Sequence, residues 1–285
     1  MNIDNCLFST ITDNNIFHIF AFDIIKHYKQ NAKYIFIDEN NIDKNDKCQL
    51  WRLFVMKRLY YHSNIQFRKF RKTVKPSKET HGGYNCWEFI KYPMDKHIYK
   101  IVDKINSKCT SEYILLNQRS YNNRYLYDYE TKLPLQDYLL TKKFKYPLKI
   151  CNFETMTPEE QYDVCSKAKL FISAHGAGCT NIIFTHIDCP LIEINLRTHW
   201  YCDPVCNDHY FEKISMNEKC NGKLTYRDSF HKADYHNLCY LINKKYTEIK
   251  TVCYHGKFND RNPISKQQLH IDGENLTKII EEYIQ

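Results

Sequence analysis

Glycine is scarce in this chain, with seven in 285 residues. Flexible glycine-rich linkers are therefore excluded, and no repeat or low-complexity segment stands out. Long apolar runs are missing as well, and none approaches the ~18–20 residues that span a bilayer. The opening, "MNIDNCLFSTITDNN", has neither the basic stretch nor the apolar stretch of a secretory signal. The expectation is a soluble protein without a membrane span, working in the cytoplasm. No C-x-x-C pair occurs among the thirteen cysteines. They read as reduced thiols, mostly buried as small apolar residues.

What is present suits a folded protein. Hydrophobic residues make up 43% and charged residues 26%, enough for a core and too balanced for disorder. The formal charge of +8 admits a polyanion partner. Nucleic acid is the remote reading, because lysine is abundant everywhere. The densest basic run, "FRKFRKTVKPSK" at 67–78, reads as a solvated loop.

Residues 15–30, "NIFHIFAFDIIKHYKQ", repeat apolar positions at helical spacing, and "AKYIFID" reads as a strand. "CQLWRLFVMKRLYYH" is helix or strand. "PMDKHIYKIVDKINS" opens with proline and reads as a helix. Then the pattern changes. "SEYILLNQR" is a strand running into a polar loop, "SYNNRYLYD". "PLQDYLLTKKF" is a helix and "LKICNFE" a strand. "TPEEQYDVCSKAK" is a helix with Thr157 as N-cap, Pro158 in the first turn and Glu160 closing a capping box. "LFISA" is a strand, "CTNIIFTH" a short helix and "PLIEINL" a strand. "ADYHNLCYLINKKY" and "DGENLTKIIEEYIQ" are further helices. This alternation predicts an α/β fold with a parallel sheet.

Two of the seven glycines flank Ala177, directly after His175. Ligands of open parallel sheets sit beyond the carboxyl ends of the strands. "LFISA" delivers His175 to that edge. Gly176 and Gly178 let the backbone turn and approach a ligand. A helix starting near Thr180 would aim its N–H groups at the same place, which suits a phosphate. A tight strand–helix turn with a buried histidine would read the same way.

The stretch "MTPEEQYDVCSKAKLFISAHGAGCTNIIFTHIDCPLIEI" resembles glycosyltransferase family 61. That family includes EGF-domain O-linked N-acetylglucosamine and plant xylan xylosyl- and arabinosyltransferases. The matching residues are Glu160–Gln161, the strand, His175–Gly176–Ala177–Gly178, Thr180–Asn181, Phe184 and Ile192–Glu193–Ile194. Cys179 stands where the family has leucine. Arg119 and Arg124 fall in the arginine places of a second segment. His18 falls in the histidine place of an N-terminal helix, where Phe22 stands at an often acidic position and Asp23 follows it.

The resemblance implies a GT-B fold, with two Rossmann-like lobes and a cleft between them. The first lobe is short, residues 1–108. A nucleotide-sugar-binding lobe follows at 109–262. Residues 263–285 carry a helix packing back toward the first lobe. The implied activity is inverting transfer from a uridine diphosphate sugar, of N-acetylglucosamine, xylose or arabinose type, to a hydroxyl of a glycan or protein. Arg119, Arg124, His175, Gly176, Ala177, Gly178, Thr180 and Asn181 would hold the donor diphosphate. Glu193 would hold ribose hydroxyls, or cap a helix or pair with Arg197. His18 is the expected base, with Asp23 second. No D-x-D occurs, so no metal cofactor is expected. A weaker zinc set is His199, Cys202, Cys206 and His209. The residue usage and the missing entry signal point to an AT-rich microbe or large DNA virus, the cytoplasm then being the host's. The alternative is an inactive relative that binds nucleotide or glycan without transfer.

Overall fold

The computed structural model describes residues 6–9, 34–38, 45–59, 64–68, 110–121, 123–195, 235, 236, 238–240, 242–251, 253–255 and 268–285. In the N-terminal part, strands β1 (Cys6–Ser9), β2 (Tyr34–Asp38) and β3 (Asn64–Arg68) form a parallel sheet with β2 central. Helix α1 (Lys47–Leu59) lies between β2 and β3 in sequence. β3 takes in the start of the basic run expected to be a loop. The helix expected at 15–30 lies outside the described residues.

The centre of the C-terminal part is a five-stranded parallel sheet. Its strands are β4 (Tyr113–Asn117), β6 (Leu148–Cys151), β7 (Ala168–Ala174), β8 (Leu191–Asn195) and β9 (Tyr246–Lys250). Their order is β6-β4-β7-β8-β9. β8 is buried throughout and β7 nearly so, as expected of central strands covered on both faces.

One face carries α2 (Leu135–Leu140) and α4 (Gly273–Ile284). The other carries α3 (Pro158–Ser166), a 3-10 helix (Ala177–Phe184) and α1. α3 forms the expected box: Thr157 Oγ1 accepts from Glu160 N at 3.2 Å, and Glu160 Oε2 accepts from Thr157 N at 2.7 Å. The chain leaves β4 over the first face to reach β6, then returns over the second face to β7 on the far side of β4. The order therefore reverses at β4, and the loops after β4 and β7 part to opposite sides of one crevice.

Two features depart from expectation. "SYNNRYLYD" contains a strand, β5 (Tyr125–Asp128). With β11 (Gln268–Ile271) and β10 (Cys253–His255) it forms a small sheet in the order β10-β11-β5. Tyr246, the last residue of a segment expected to be helical, instead opens strand β9. The C-terminal helix α4 lies on the five-stranded sheet. Its stripe of Leu276, Ile280 and Ile284 is buried in one cluster with Ile114, Leu116, Leu139 and Ile172. The reason is local: parallel pairing of β11 with β5 sets where α4 starts, and Asp128 Oδ1 accepts from Gly273 N at 3.0 Å. Likewise α1, N-terminal to residue 109, buries Trp51, Val55 and Met56 in the core formed with α3 and the 3-10 helix. No helix among the described residues is long and apolar enough to cross a membrane.

Candidate functional site

β4 and β7 are neighbours, with Asn117 opposite Ser173. Both end at the same edge. Arg119 follows one strand, and His175 and Gly176 follow the other. Gly176 has φ 146 and ψ 179, a conformation open to glycine. Space there is equally restrictive. A Cβ on Gly176 would strike Arg124 Nη1 and lie 2.8 Å from Arg119 Nη1. Two guanidinium groups thus close on one bare backbone position. Arg124 itself has φ 58, uncommon for a residue with a side chain, and its guanidinium donates to the His175 carbonyl. Gly178 is a simpler case: a Cβ would meet Asn117 Nδ2 at 3.0 Å and Phe153 at 3.4 Å.

The 3-10 helix begins at Ala177, with Gly176 as its cap residue, three positions before the expected start near Thr180. The start of this helix therefore lies next to Gly176, where the two arginines converge. Cys179 N is already used by the Gly176 carbonyl at 2.9 Å. The partial positive charge of a helix start adds to that of the guanidiniums.

The arginines differ in their compensation. Arg119 grips Glu154, with Nε at 3.0 Å and Nη2 at 2.9 Å from Oε1. Glu154 also accepts from Ser120 N at 3.1 Å, Ser120 Oγ at 2.5 Å and Asn123 Nδ2. Burial alone would raise its carboxyl. The Ser120 hydrogen bonds and the Arg119 charge outweigh that and hold it below the usual carboxylate range. Arg124 has no such carboxylate partner among the described residues: burial first, and the like charge of Arg119 second, push it down to about 10. Its Nε is buried without a hydrogen-bond partner among the described residues. Two crowded, partly dehydrated cations make a place where an anion is favoured.

His175 is tied on three sides. Its N–H donates to the Ile194 carbonyl at 2.8 Å, its carbonyl accepts from Arg124, and its Nδ1 meets Glu193 Oε1. Glu193 is completely buried, and its Oε2 accepts from the Tyr246 hydroxyl at 2.7 Å. Burial first, and Glu193 second, raise that hydroxyl far above an ordinary tyrosine. Tyr235 packs edge-on against the imidazole, with centroids 5.6 Å apart.

The sequence-derived site residues therefore divide. Arg119, Arg124, His175, Gly176, Ala177 and Gly178 come together at the crevice. Thr180 and Asn181 lie in the interior. Thr180 is fully buried. Asn181 lies in the core, where Oδ1 accepts from Trp51 Nε1 at 2.8 Å and Nδ2 donates to Gln161 Oε1 at 2.8 Å. Gln161 in turn donates to the carbonyls of Phe153 and Met156. Asn181 thus joins α1, α3 and the 3-10 helix, because a buried amide must satisfy both of its ends. Glu193 meets His175 with one oxygen and Tyr246 with the other, and is completely buried. Cys179 is fully buried, and burial pushes its thiol up, so it is no nucleophile.

Sequence reasoning missed Glu154, Tyr246 and Lys47, whose Nζ donates to the Glu154 carbonyl. Glu154 was within reach, since it follows strand β6, beside β4, at the same sheet edge. Tyr246 was not, because β9 went unread. His18, Asp23, His199, Cys202, Cys206 and His209 lie outside the described residues.

The family model described as Glycosyltransferase 61 matches residues 48–192, from the start of α1 into β8. No curated protein matches the chain.

Proposed function

The chain belongs to glycosyltransferase family 61, and from that premise we propose that its crevice binds the diphosphate of a uridine diphosphate sugar and passes the sugar, with inversion, to a hydroxyl of a glycan or protein. The observation that carries the donor site is the convergence of Arg119 and Arg124 on Gly176, beside the start of the 3-10 helix. When the sugar departs, the diphosphate gains negative charge. Fixed guanidinium and backbone N–H donors stabilise that charge without a metal ion. N-acetylglucosamine, xylose and arabinose are the donor sugars that the family suggests.

On this reading the second half of the chemistry comes from a GT-B first lobe across a cleft, with His18 as base and Asp23 as its substitute. A base must take the acceptor proton as the new bond forms. The donor side offers cations and backbone donors at the diphosphate, so the base belongs elsewhere.

A second reading, binding without turnover, has one observation in its favour. Glu154 already lies across the Arg119 fork as an internal anion. A panel of nucleotides and nucleotide sugars separates the two. Melting shifts with uridine diphosphate, together with release of uridine diphosphate from a sugar donor on adding acceptor, support transfer. Shifts without release support the second reading. No shift with any nucleoside diphosphate removes both.

A further inference from the structure

Arg119 meets Glu154 along one edge of its guanidinium. Nε lies 3.0 Å and Nη2 2.9 Å from the same oxygen, Oε1. A guanidinium is planar and rigid, so fixing one edge also aims the opposite corner. That corner is Nη1, the atom that a Cβ on Gly176 would approach to 2.8 Å. Arg124 Nη1 closes on the same position. We propose that Glu154 is a positioning residue of the donor site, which holds Arg119 so that Nη1 faces a phosphate oxygen beside Gly176. The proposal rests on the donor-site reading above.

Without a holder this pose is unfavourable. A fixed arginine side chain gives up rotamer freedom, and the charges of Arg119 and Arg124 repel each other. Glu154 supplies the opposing charge. At side-chain exposures of 18% for Arg119 and 28% for Glu154, the pair is screened by water less than a surface pair. Glu154 is itself immobilised. Its Oε2 accepts from Ser120 N and Oγ, and its Oε1 also accepts from Asn123 Nδ2. Its backbone N–H donates to Asn152 Oδ1 at 2.9 Å, and Asn152 Nδ2 donates to Ser120 Oγ at 3.2 Å. Lys47 Nζ donates to its carbonyl. A carboxylate tied at both oxygens and along its backbone is a fixed post for the guanidinium. The rival role is a plug, an internal anion that keeps phosphate away from Arg119. The two roles predict opposite signs.

Calorimetric titration with uridine diphosphate, at a temperature where the variants are folded, reads that sign. Removing a negative charge beside an anion site would by itself tighten binding. Glu154→Gln instead weakens it about 10-fold, because Arg119 loses its aim and with it a charged hydrogen bond. Glu154→Asp keeps the charge at a shorter reach and loses less; it replaces Glu154→Gln if that variant does not fold. The double variant Arg119→Ala/Glu154→Gln binds no worse than Arg119→Ala alone, since Glu154 acts through Arg119. In nitrogen-15 spectra of the unliganded protein, the Arg119 Nε–H signal, assigned with Arg119→Lys, is protected from exchange with water. Glu154→Gln removes that protection. Unchanged or tighter binding by Glu154→Gln, or by Glu154→Asp in its place, overturns the proposal, as does a further loss in the double variant. A wild type that does not bind uridine diphosphate overturns the donor-site reading instead. An Nε–H that exchanges freely in the wild type overturns the positioning even then.

Discussion

Gly176 illustrates how one residue can answer to two demands. Its backbone conformation suits glycine, and its missing side chain leaves room for two guanidiniums. Gly176→Val therefore harms both properties: a loss of about 1–3 kcal/mol in folding from the strained backbone, and loss of the melting shift with uridine diphosphate. A Val variant that keeps the shift removes the loop from the site. Arg124→Ala weakens binding of the nucleotide by about 1.5–3 kcal/mol if the charged hydrogen bond is direct. Arg124→Lys recovers only part, because the planar fork is lost. Calorimetric titration of both variants checks this, and wild-type affinity in each would make Arg124 a packing residue. Glu154 gives a test by pH. Its carboxyl is depressed, so its stabilising effect is complete above the ordinary carboxylate value of ~4.3 and drains away as the pH falls through its lowered value. The stability gap between wild type and Glu154→Gln should thus close on acidification. A gap that persists in strong acid would mean that the glutamate's charge is not what stabilises.

Elements differ in how openly the sequence declares them. β7 and α3 were legible because their signals are local: an apolar run in one, and Thr157, Pro158 and Glu160 in the other. β5 was hidden because its outer residues, Tyr125 and Tyr127, join a polar loop, and its pairing partner β11 lies far along the chain. α4 is legible as a helix, but the surface it covers is not. Periodicity says which side of a helix is apolar and not what will cover it. The motif around His175 shows the same limit. Its start faces the crevice and its end, Asn181, serves the core, although both halves look equally polar on paper. Asn181→Ala should accordingly cost stability, since Trp51 Nε1 and Gln161 Oε1 both lose a buried partner, at about 1–3 kcal/mol each before relaxation. Ile280→Ala, from the middle of the α4 stripe, costs about 2–5 kcal/mol if the cavity does not collapse. Denaturant unfolding measures both. An Asn181→Ala variant of normal stability with lost nucleotide binding would return that residue to the site.

For the molecule as a whole, bound uridine diphosphate at ~100 times its dissociation constant should add about 2.7 kcal/mol of stability. The shift should survive chelation of divalent metals, because guanidinium and backbone donors carry the charge. A shift that needs Mn²⁺ would sink the metal-independent reading. His18→Ala should spare nucleotide affinity while cutting transfer about 10²-fold or more. Normal transfer by that variant would pass the role of base to Asp23.

The tie between Asp128 and Gly273 joins positions 145 residues apart. During synthesis, β5 and the apolar side of α2 therefore emerge long before β11 and α4 exist to cover them. Until then the nascent chain carries an unpaired strand edge above an open greasy face, the kind of surface that recruits neighbouring chains. The local motifs can form early, but the unit closes only once β11 and α4 have emerged. Its yield in cells should thus depend on chaperone capacity and translation speed more than its native stability alone would suggest.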